Sequence, residues 1–323
     1  MRRVFFIVGP TATGKSELAA SVACEIGAEI VSADAFQLYR GLDLLTAKPD
    51  ASTLAKAPHH LIGTTPLHEV MNAEKFRRTA SCAIDEIHSR GKLAIVVGGS
   101  GLYIKALTHG LAAAPEADPK LREKLDAMSL DELRSRLVEL DPDAPRKIDI
   151  KNRRRIVRAL EICLLTGKRA SAQRNEWAVA EGVDLGNLGD VPRRSAHAAT
   201  GVFVFRDREE LYARINQRVE RMFENGVIEE VRATGEVSAT ALQMLGFREI
   251  RQLLNGEMSI SQCVAAIQQA TRRYAKRQLT WFRRQTNFSP LNLSLLTHNE
   301  AVNWVLLRMR SERRNVSSVR AKG

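Results

Sequence analysis

Eight residues near the start of the chain have the types and spacing of a phosphate-binding loop. Residues 9–16 fit the pattern G-x-x-x-x-G-K-[ST], with the apolar run Val4–Val8 before them and a helix-forming segment, residues 17–26, after them. In such a unit the glycines let successive backbone N–H groups point inward, and the helix N-terminus favours an anion. Lys15 adds a full positive charge, and Ser16 is placed to hold a Mg²⁺ ion that bridges phosphate oxygens. We therefore predict a di- or triphosphate site, with Mg²⁺ as cofactor, formed by Gly9, Pro10, Thr11, Ala12, Thr13, Gly14, Lys15 and Ser16.

Two further loops carry polar residues at the ends of predicted buried strands. Asp34 follows the predicted strand 29–33, and Ser100 lies in a glycine-rich turn, residues 98–103, that follows the predicted strand 93–97. In doubly wound sheets the carboxyl ends of the strands line the ligand crevice, so both residues are expected beside the phosphate loop. A P-loop ATPase usually ends the second of these strands with an aspartate that positions Mg²⁺ and water. Glycine occupies that position here, which argues against a motor ATPase.

The composition indicates a basic globular protein. The chain has 323 residues, of which 44% are hydrophobic and 27% charged, with a formal net charge of +12 and a pI near 9.9. Such an excess of positive charge indicates a polyanionic partner. The basic residues are grouped on predicted helix faces with few acids between them, although like charges at i, i+4 repel. We therefore expect RNA to bind at three groups: Lys151, Arg154, Arg155 and Arg158; Arg214, Arg218 and Arg221; Lys276, Arg277, Arg283 and Arg284.

The cysteines and the apolar segments exclude several classes of protein. Cys24, Cys82, Cys163 and Cys263 are far apart and lie in helical apolar patterns, so we predict four buried, reduced thiols and no cysteine metal site. The first apolar run is too short for a signal peptide, and no segment is long enough to span a membrane. We expect a cytoplasmic monomer with no membrane partner.

The order of predicted elements indicates an α/β fold of the P-loop NTPase type, a parallel sheet flanked by helices, with a mainly α-helical insertion domain. An Asp207-x-x-Glu210 capping box is predicted to begin a helix after the last strand, and the last long helix is predicted from 261 to about 288. Residues 181–197 are expected to form a loop. The predicted strands are 4–8, 29–33, 59–62, 93–97 and 201–205. The predicted domains are a discontinuous catalytic core, 1–111 and 200–310; the helical insertion, 112–199, which contacts tRNA; and a basic disordered tail, 311–323.

Several longer motifs resemble those of the tRNA dimethylallyltransferases. The most specific are SADAFQLYRGLD at 32–43 and RRYAKRQLTWFR at 272–283; the others are 9–16, 46–49, 58–62, 97–103 and 158–161. They follow the family's order over nearly the whole folded chain. The sequence departs from the family pattern at Ala35, Leu45 and Ser100, where the family commonly has Ser, Gly and Thr.

The resemblance implies a reaction and its substrates. A dimethylallyl group would pass from dimethylallyl pyrophosphate to the exocyclic N6 of the adenosine at tRNA position 37, beside the anticodon. The flipped base and the prenyl donor would enter one channel from opposite ends. The phosphate loop would then hold a pyrophosphate rather than ATP, which agrees with the glycine at the end of the strand 93–97.

The resemblance also assigns roles to individual residues. Asp34 would orient the adenine amine and accept its proton, while Lys15 and an arginine would stabilise the leaving pyrophosphate. By position in residues 214–218 we choose Arg218 for this arginine, with Arg214 as the second choice. Ser100 would hydrogen-bond the pyrophosphate or hold the base. The implied tRNA-contacting positions are Asp34, Ala35, Phe36, Gln37, Ser100, Arg122, Arg154, Arg155, Ile156, Val157, Arg158, Gln243, Met244, Leu245, Gly246, Phe247 and Arg248.

Two other functions stay open from the residues alone. A nucleoside or nucleotide kinase would use the same loop and sheet, with the basic faces as phosphate clamps. A nucleic-acid-binding module would use the phosphate loop only for regulation. The expected convergence of Asp34 and Ser100 on the crevice favours an enzyme over such a module.

Overall fold

The chain divides into two compact units, residues 1–108 with 195–323 and residues 109–194. The structure, a computed structural model, describes residues 4–111, 115, 118–173, 199–285 and 288–320. The sequence analysis placed the insertion at 112–199, and the loop predicted at 181–197 lies outside the described residues.

The first unit contains a six-stranded parallel sheet with the order β3-β2-β4-β1-β5-β6. Because β1 lies in the interior of the sheet, the phosphate loop that follows it emerges near the middle of the sheet edge. The strands are Val4–Val8 (β1), Glu29–Ser32 (β2), His59–His60 (β3), Ala94–Gly98 (β4), Ala199–Phe205 (β5) and Phe288–Asn292 (β6). The parallel α/β class predicted from the sequence is confirmed.

Helices cover both faces of this sheet, and β1 is apolar on both. Phe6 and Val8 pack in one core, while Phe5 and Ile7 pack in a second core on the opposite face. The helices of this unit are Lys15–Ile26 (α1), Ala51–Leu54 (α2), Ala73–Ser89 (α3), Gly101–Thr108 (α4), Arg208–Glu224 (α10), Val227–Arg232 (α11), Phe247–Leu254 (α12), Ile260–Phe282 (α13) and His298–Arg320 (α14), with 3₁₀ turns at Ala241–Gln243 and Leu293–Leu295. Helices α1 and α14 pack on the Phe5 face, and α3, α4 and the end of α13 pack on the Phe6 face.

A third core joins α10, α11, α12 and α13 beside the sheet. Val219, Val227, Ile250 and Ile267 are buried in it, together with Leu45 from the segment that follows Asp34. This packing anchors the loop that carries Asp34 to the helices that carry the basic faces.

The second unit is wholly helical among its described residues. Its helices are Pro119–Asp126 (α5), Leu130–Leu140 (α6), Ala144–Lys147 (α7), Arg153–Thr166 (α8) and Ala170–Gln173 (α9). Leu133 and Leu137 of α6 pack against Ile156 and Leu160 of α8. Ser129 begins α6 with a capping box, in which its side chain and that of Glu132 satisfy each other's backbone N–H groups.

The sequence analysis was wrong at two segments near the end of the chain. Helix α13 ends at Phe282, and Phe288–Asn292 form a sixth strand that was not predicted. Pro290 gave the segment a poor strand signal, but β6 is an edge strand, where proline is tolerated. The predicted disordered tail is helical up to Arg320 as the continuation of α14.

Three side-chain predictions were also wrong. Asp207 precedes α10 without a side-chain capping bond, because its carboxylate accepts a hydrogen bond from Asn292 Nδ2 at 3.0 Å. Cys24 and Cys82 are exposed, while Cys163 and Cys263 are buried as predicted. None of the described helices is long and apolar enough to cross a membrane.

Candidate active site

The carboxyl ends of β1, β2 and β4 bring several predicted site residues to one edge of the sheet. Val8 leads into the phosphate loop, Ser32 leads to Asp34, and Gly98 leads to Ser100. Between them lies a cavity of about 340 Å³, part of which is open to solvent. It is lined by Lys15, Ser16, Ile30, Ser32, Asp34, Gln37, Pro49, His59, Ile62, Val97 and Gly98.

The phosphate loop is closed by hydrogen bonds of its own side chains. Thr13 Oγ1 and Lys15 Nζ both donate to the carbonyl oxygen of Pro10, at 2.9 Å and 3.2 Å. Gly14 has a left-handed backbone with φ 92° and directly precedes α1. Because the first N–H groups of a helix lack partners within it, the start of α1 can bind an anion beside Lys15.

Two cations lie near Asp34 without full compensation. Burial lowers the pKa of Lys15 to about 8 and that of Arg218 to about 10, and the charge of Asp34 opposes both changes. The Nε of Arg218 is buried and has no hydrogen-bond partner among the described residues. Arg214 is exposed instead, and its Nε donates to the carbonyl oxygen of Ala12 at 3.0 Å. Since one carboxylate cannot neutralise two cations, the site favours an anion, and Arg218 is better placed for it than Arg214.

Asp34 is held through one of its two carboxylate oxygens. Its Oδ1 accepts hydrogen bonds from the backbone N–H groups of Phe36 and Gln37, at 3.0 Å and 3.4 Å. The backbone N–H of Ala35 donates to Ser100 Oγ at 2.9 Å, which joins this turn to the one after β4. Within the described part of the chain, Oδ2 has no partner, so it is available to a substrate donor.

The sequence analysis missed Gln278, which ties two of these loops together. Its Oε1 accepts a hydrogen bond from the backbone N–H of Thr11 at 3.0 Å, and its Nε2 donates to the carbonyl oxygen of Gly99 at 2.8 Å. Gly99 must lack a side chain, because a Cβ atom there would collide with Gln278 Nε2. At Gly101 a Cβ atom would lie 2.7 Å from the Trp281 ring. The motif at 272–283 was the available signal, since Gln278 and Trp281 both belong to it.

Tyr274 lies one helical turn before Gln278 and adds a hydroxyl to the same group. Its side chain hydrogen-bonds to Ser100 and Gln278. Burial, followed by the charge of Asp34, raises the pKa of Tyr274, so the hydroxyl keeps its proton at neutral pH. Ser100 therefore has a structural task in this structure: it connects the turn at Ala35 with Tyr274.

The residues present fit a magnesium ion that is shared with a phosphorylated ligand. Ser16 and Asp34 line the same cavity with oxygen donors. The described residues contain no group of three or more His, Cys, Asp or Glu side chains that could hold a metal alone. Mg²⁺ commonly takes one or two protein oxygens and completes its shell with water and phosphate oxygens. Ser16 is therefore a sufficient anchor when a pyrophosphate is present.

In the helical unit, two predicted tRNA-binding arginines are occupied by an internal ion pair. Glu161 has a fully buried carboxylate that binds Arg122 at 2.7 Å and Arg158 at 3.1 Å. Arg158 also donates to the carbonyl oxygen of Pro115 at 2.8 Å. Removing either arginine would leave a buried charge short of a partner, so both residues stabilise this unit.

Four other predicted tRNA-contacting side chains are in apolar cores. Ile156 and Val157 are 0% and 4% exposed, and Met244 and Phe247 are 3% and 2% exposed. Buried side chains cannot reach an RNA backbone, so the prediction of side-chain contacts was wrong at these positions. The exposed members of the predicted set are Arg154, Arg155, Gln243 and Arg248.

The fold and the cavity together define a P-loop enzyme that transfers a group from a phosphorylated donor. A family model described as IPP transferase matches residues 37–285. The chain belongs to the IPP transferase family.

Relatives and solved structures agree with this assignment. The chain is 45% identical to tRNA dimethylallyltransferase 1 of Citrifermentans bemidjiense, over 88% of this chain and 90% of that protein. It is 41% identical to tRNA dimethylallyltransferase of Akkermansia muciniphila, over 87% and 90% of the two chains. The crystal structure of the tRNA isopentenylpyrophosphate transferase of Bacillus halodurans matches with a TM-score of 0.69 and 30% identity, covering 98% of this chain and 100% of that one. The kinase alternative is not favoured.

Proposed function

We propose that this protein transfers a dimethylallyl group from dimethylallyl pyrophosphate to N6 of the adenosine at position 37 of tRNA, within the anticodon stem-loop. The observation that carries the proposal is a single carboxylate, Asp34, next to two undercompensated cations, Lys15 and Arg218. The names of the curated relatives support both the prenyl group and the tRNA acceptor.

The reaction needs a base on one side of the transferred carbon and an anion site on the other. The N6 lone pair attacks C1 of the dimethylallyl group as the bond from C1 to the pyrophosphate oxygen breaks, and that oxygen keeps the electron pair. Asp34 Oδ2 accepts the N6 proton, while Oδ1 stays bound to backbone N–H groups. Lys15, Arg218 and the N–H groups at the start of α1 stabilise the charge that develops on pyrophosphate.

Magnesium would support the same step. When bound, Mg²⁺ would be held by Ser16 and would neutralise charge on the pyrophosphate oxygens. Asp34, Ser16 and Lys15 line one cavity of a single chain, so the proposal includes a monomeric enzyme.

The acceptor adenosine must leave its stack to reach Asp34. Unstacking a base costs a few kcal/mol, which contacts to the RNA backbone must offset. The exposed arginines Arg154, Arg155 and Arg248 are available for this purpose. A tRNA substrate also places the enzyme in the cytoplasm, where tRNA is modified and used.

A labelled-donor assay tests the proposal. Unmodified tRNA and labelled dimethylallyl pyrophosphate are incubated with the protein, and the product nucleosides are identified by mass. Asp34→Asn should slow single-turnover transfer on the order of a hundredfold or more, because Asn keeps the acceptor oxygen for Phe36 and Gln37 but cannot take a proton. Asp50→Asn is the matched control, since it removes the same charge and still caps α2. Equal rates for Asp34→Asn and the parent would show that Asp34 is not the base.

The same preparation separates the prenyl transferase from a kinase. ATP turnover is measured in parallel with adenosine, nucleoside monophosphates and tRNA as acceptors. Phosphoryl transfer without any prenylated adenosine would replace this proposal with the kinase.

A further inference from the structure

Two arginines bind the carbonyl side of the phosphate loop, opposite the N–H groups that face a ligand. Arg206, which directly follows β5, donates from Nε to the carbonyl oxygen of Thr13 at 2.9 Å. Arg214 of α10 donates from Nε to the carbonyl oxygen of Ala12 at 3.0 Å. Two consecutive carbonyl groups of the loop are therefore each fixed by a guanidinium group.

The loop needs such support because Ala12 has an unfavourable backbone. Its φ is 65°, in the left-handed region that residues with a side chain rarely adopt. Such a conformation persists only where the surroundings hold it. The bond from Arg214 reaches Ala12 itself, and the bond from Arg206 reaches the next residue.

Arg206 is in turn held rigidly, so it can act as a fixed anchor. Its Nη1 donates to Glu210 Oε1 at 2.6 Å and to the carbonyl oxygen of Leu293 at 3.0 Å. Ser294 Oγ donates to the other oxygen of Glu210 at 2.5 Å. The unpredicted strand β6 is followed directly by Leu293 and Ser294, so it also positions this anchor.

Both guanidinium groups lie close behind Gly14. A Cβ atom at Gly14 would be 3.7 Å from Arg214 Nη2 and 3.8 Å from Arg206 Nη2. Burial and the charge of Arg214 lower the pKa of Arg206, which is the effect of two neighbouring like charges. An anion in front of the loop would relieve this repulsion.

We propose that Arg206 and Arg214 are positioning residues that hold Ala12 in its left-handed conformation, so that the loop N–H groups face a pyrophosphate before it binds. The inference rests on the proposed function for the identity of the ligand. It differs from the role of Arg218, because neither Arg206 nor Arg214 needs to touch the substrate.

Binding of inorganic pyrophosphate, measured by titration calorimetry in the presence of Mg²⁺, tests the idea. Arg214→Gln should weaken binding about tenfold, because the binding-competent loop becomes a minor state. Arg214→Lys should restore little, since the lysine point charge does not reproduce the Nε–H geometry. Arg208→Gln is the matched control: it removes an exposed arginine of the same helix that contacts Tyr212, not the loop, and should change affinity less than twofold.

The decisive variant is Ala12→Gly, because glycine adopts positive φ without steric cost. In the Arg214→Gln protein it should recover at least about threefold of the lost affinity, while in the parent it should change affinity less than twofold. Full restoration by Arg214→Lys, or no recovery with Ala12→Gly, would show that Arg214 acts only as a charge and would overturn the proposal.

Hydrogen exchange of the ligand-free protein separates this inference from the proposed function. Arg206→Gln and Arg214→Gln should each speed exchange of the backbone N–H groups of residues 11–16. If the parent protein fails to bind pyrophosphate but these variants still loosen the loop, the proposed function fails and the positioning role stands. Unchanged exchange in both variants would overturn the positioning role.

Discussion

Two groups of charged residues lie at opposite ends of the same sheet and are balanced in opposite ways. At the amino end of β2, Glu29 is buried and binds Arg90 at 2.7 Å, Lys92 at 3.1 Å and His60 at 2.7 Å. At the carboxyl end, Lys15 and Arg218 share the charge of Asp34, and Arg218 Nε has no partner among the described residues.

The pKa falls at both ends, but for different reasons. The hydrogen bond from Arg90, with those from His60 and Lys92, lowers the pKa of Glu29 to about 2 and so stabilises its charged form. Burial lowers the pKa of Lys15 to about 8, which means that its charged form is disfavoured. The amino end therefore stabilises the fold, and the carboxyl end gives up stability to hold positive charge for a ligand.

The sharpest test of this difference is Lys15→Met. Single-turnover prenyl transfer should fall by on the order of a hundred- to a thousandfold, because a cation that stabilises the leaving group is lost. The free energy of unfolding without ligand at pH 7 should rise, since a poorly compensated charge is removed. Urea unfolding and the labelled-donor assay measure the two effects. A variant that loses both activity and stability would break the comparison.

The opposite result is expected for Glu29→Gln. The free energy of unfolding should fall by about 2 kcal/mol, because hydrogen bonds to a buried carboxylate are lost, while the rate of transfer stays within about twofold. In the parent the contribution of Glu29 is complete above its usual pKa of 4.5 and is lost as the pH falls toward 2. Urea midpoints between about pH 5 and pH 3 should therefore fall less steeply in the variant than in the parent. Parallel curves would mean that Glu29 gains nothing from its partners.

A smaller effect is expected on the alkaline side. Between the lowered pKa of Lys15, about 8, and its usual value of 10.5, the unfolded chain carries a proton that the folded protein lacks. The stability of the ligand-free parent should therefore rise with pH over this interval, by about 1 kcal/mol after solvent screening of a half-exposed group. Lys15→Met should lack the rise, and Lys92→Met is the control that should retain it.

The smallest effect is expected for an ion pair at neither end. Glu74 and Arg77 form an exposed i, i+3 pair at 2.6 Å on α3. Glu74→Gln should change the free energy of unfolding by less than about 0.5 kcal/mol. A loss as large as that of Glu29→Gln would show that burial is not what distinguishes Glu29.

The sequence predicted those features that depend on local pattern. Residues 9–16 combine a complete local motif with a strand and a helix, and Asp34 follows a short apolar run, so both could be placed at the sheet edge. Features that depend on distant contacts were not predicted. Gln278 reaches Thr11 and Gly99 across most of the chain, and the strand character of residues 288–292 comes from pairing with β5.

The basic faces show the same limit. The spacing of Arg154, Arg155 and Arg158 was read correctly from the sequence, but the pattern does not reveal which side chains point inward. Arg158 and Arg122 stabilise the buried carboxylate of Glu161, whereas Arg155 is exposed. Arginine serves either purpose, so only the packing of Glu161 separates the internal ion pair from the surface available to RNA.

The position of Gln278 also affects when the protein can first become active during its synthesis. A ribosome makes Thr11 and Gly99 long before Gln278, which follows them by 267 and 179 residues. Chains are made from the N-terminus, so the early strands and the phosphate loop emerge without the side chain that joins the two loops. A nascent or truncated chain that ends before α13 cannot form these two hydrogen bonds. Substrate binding is thereby delayed until most of the polypeptide has been translated and α13 has docked on the sheet.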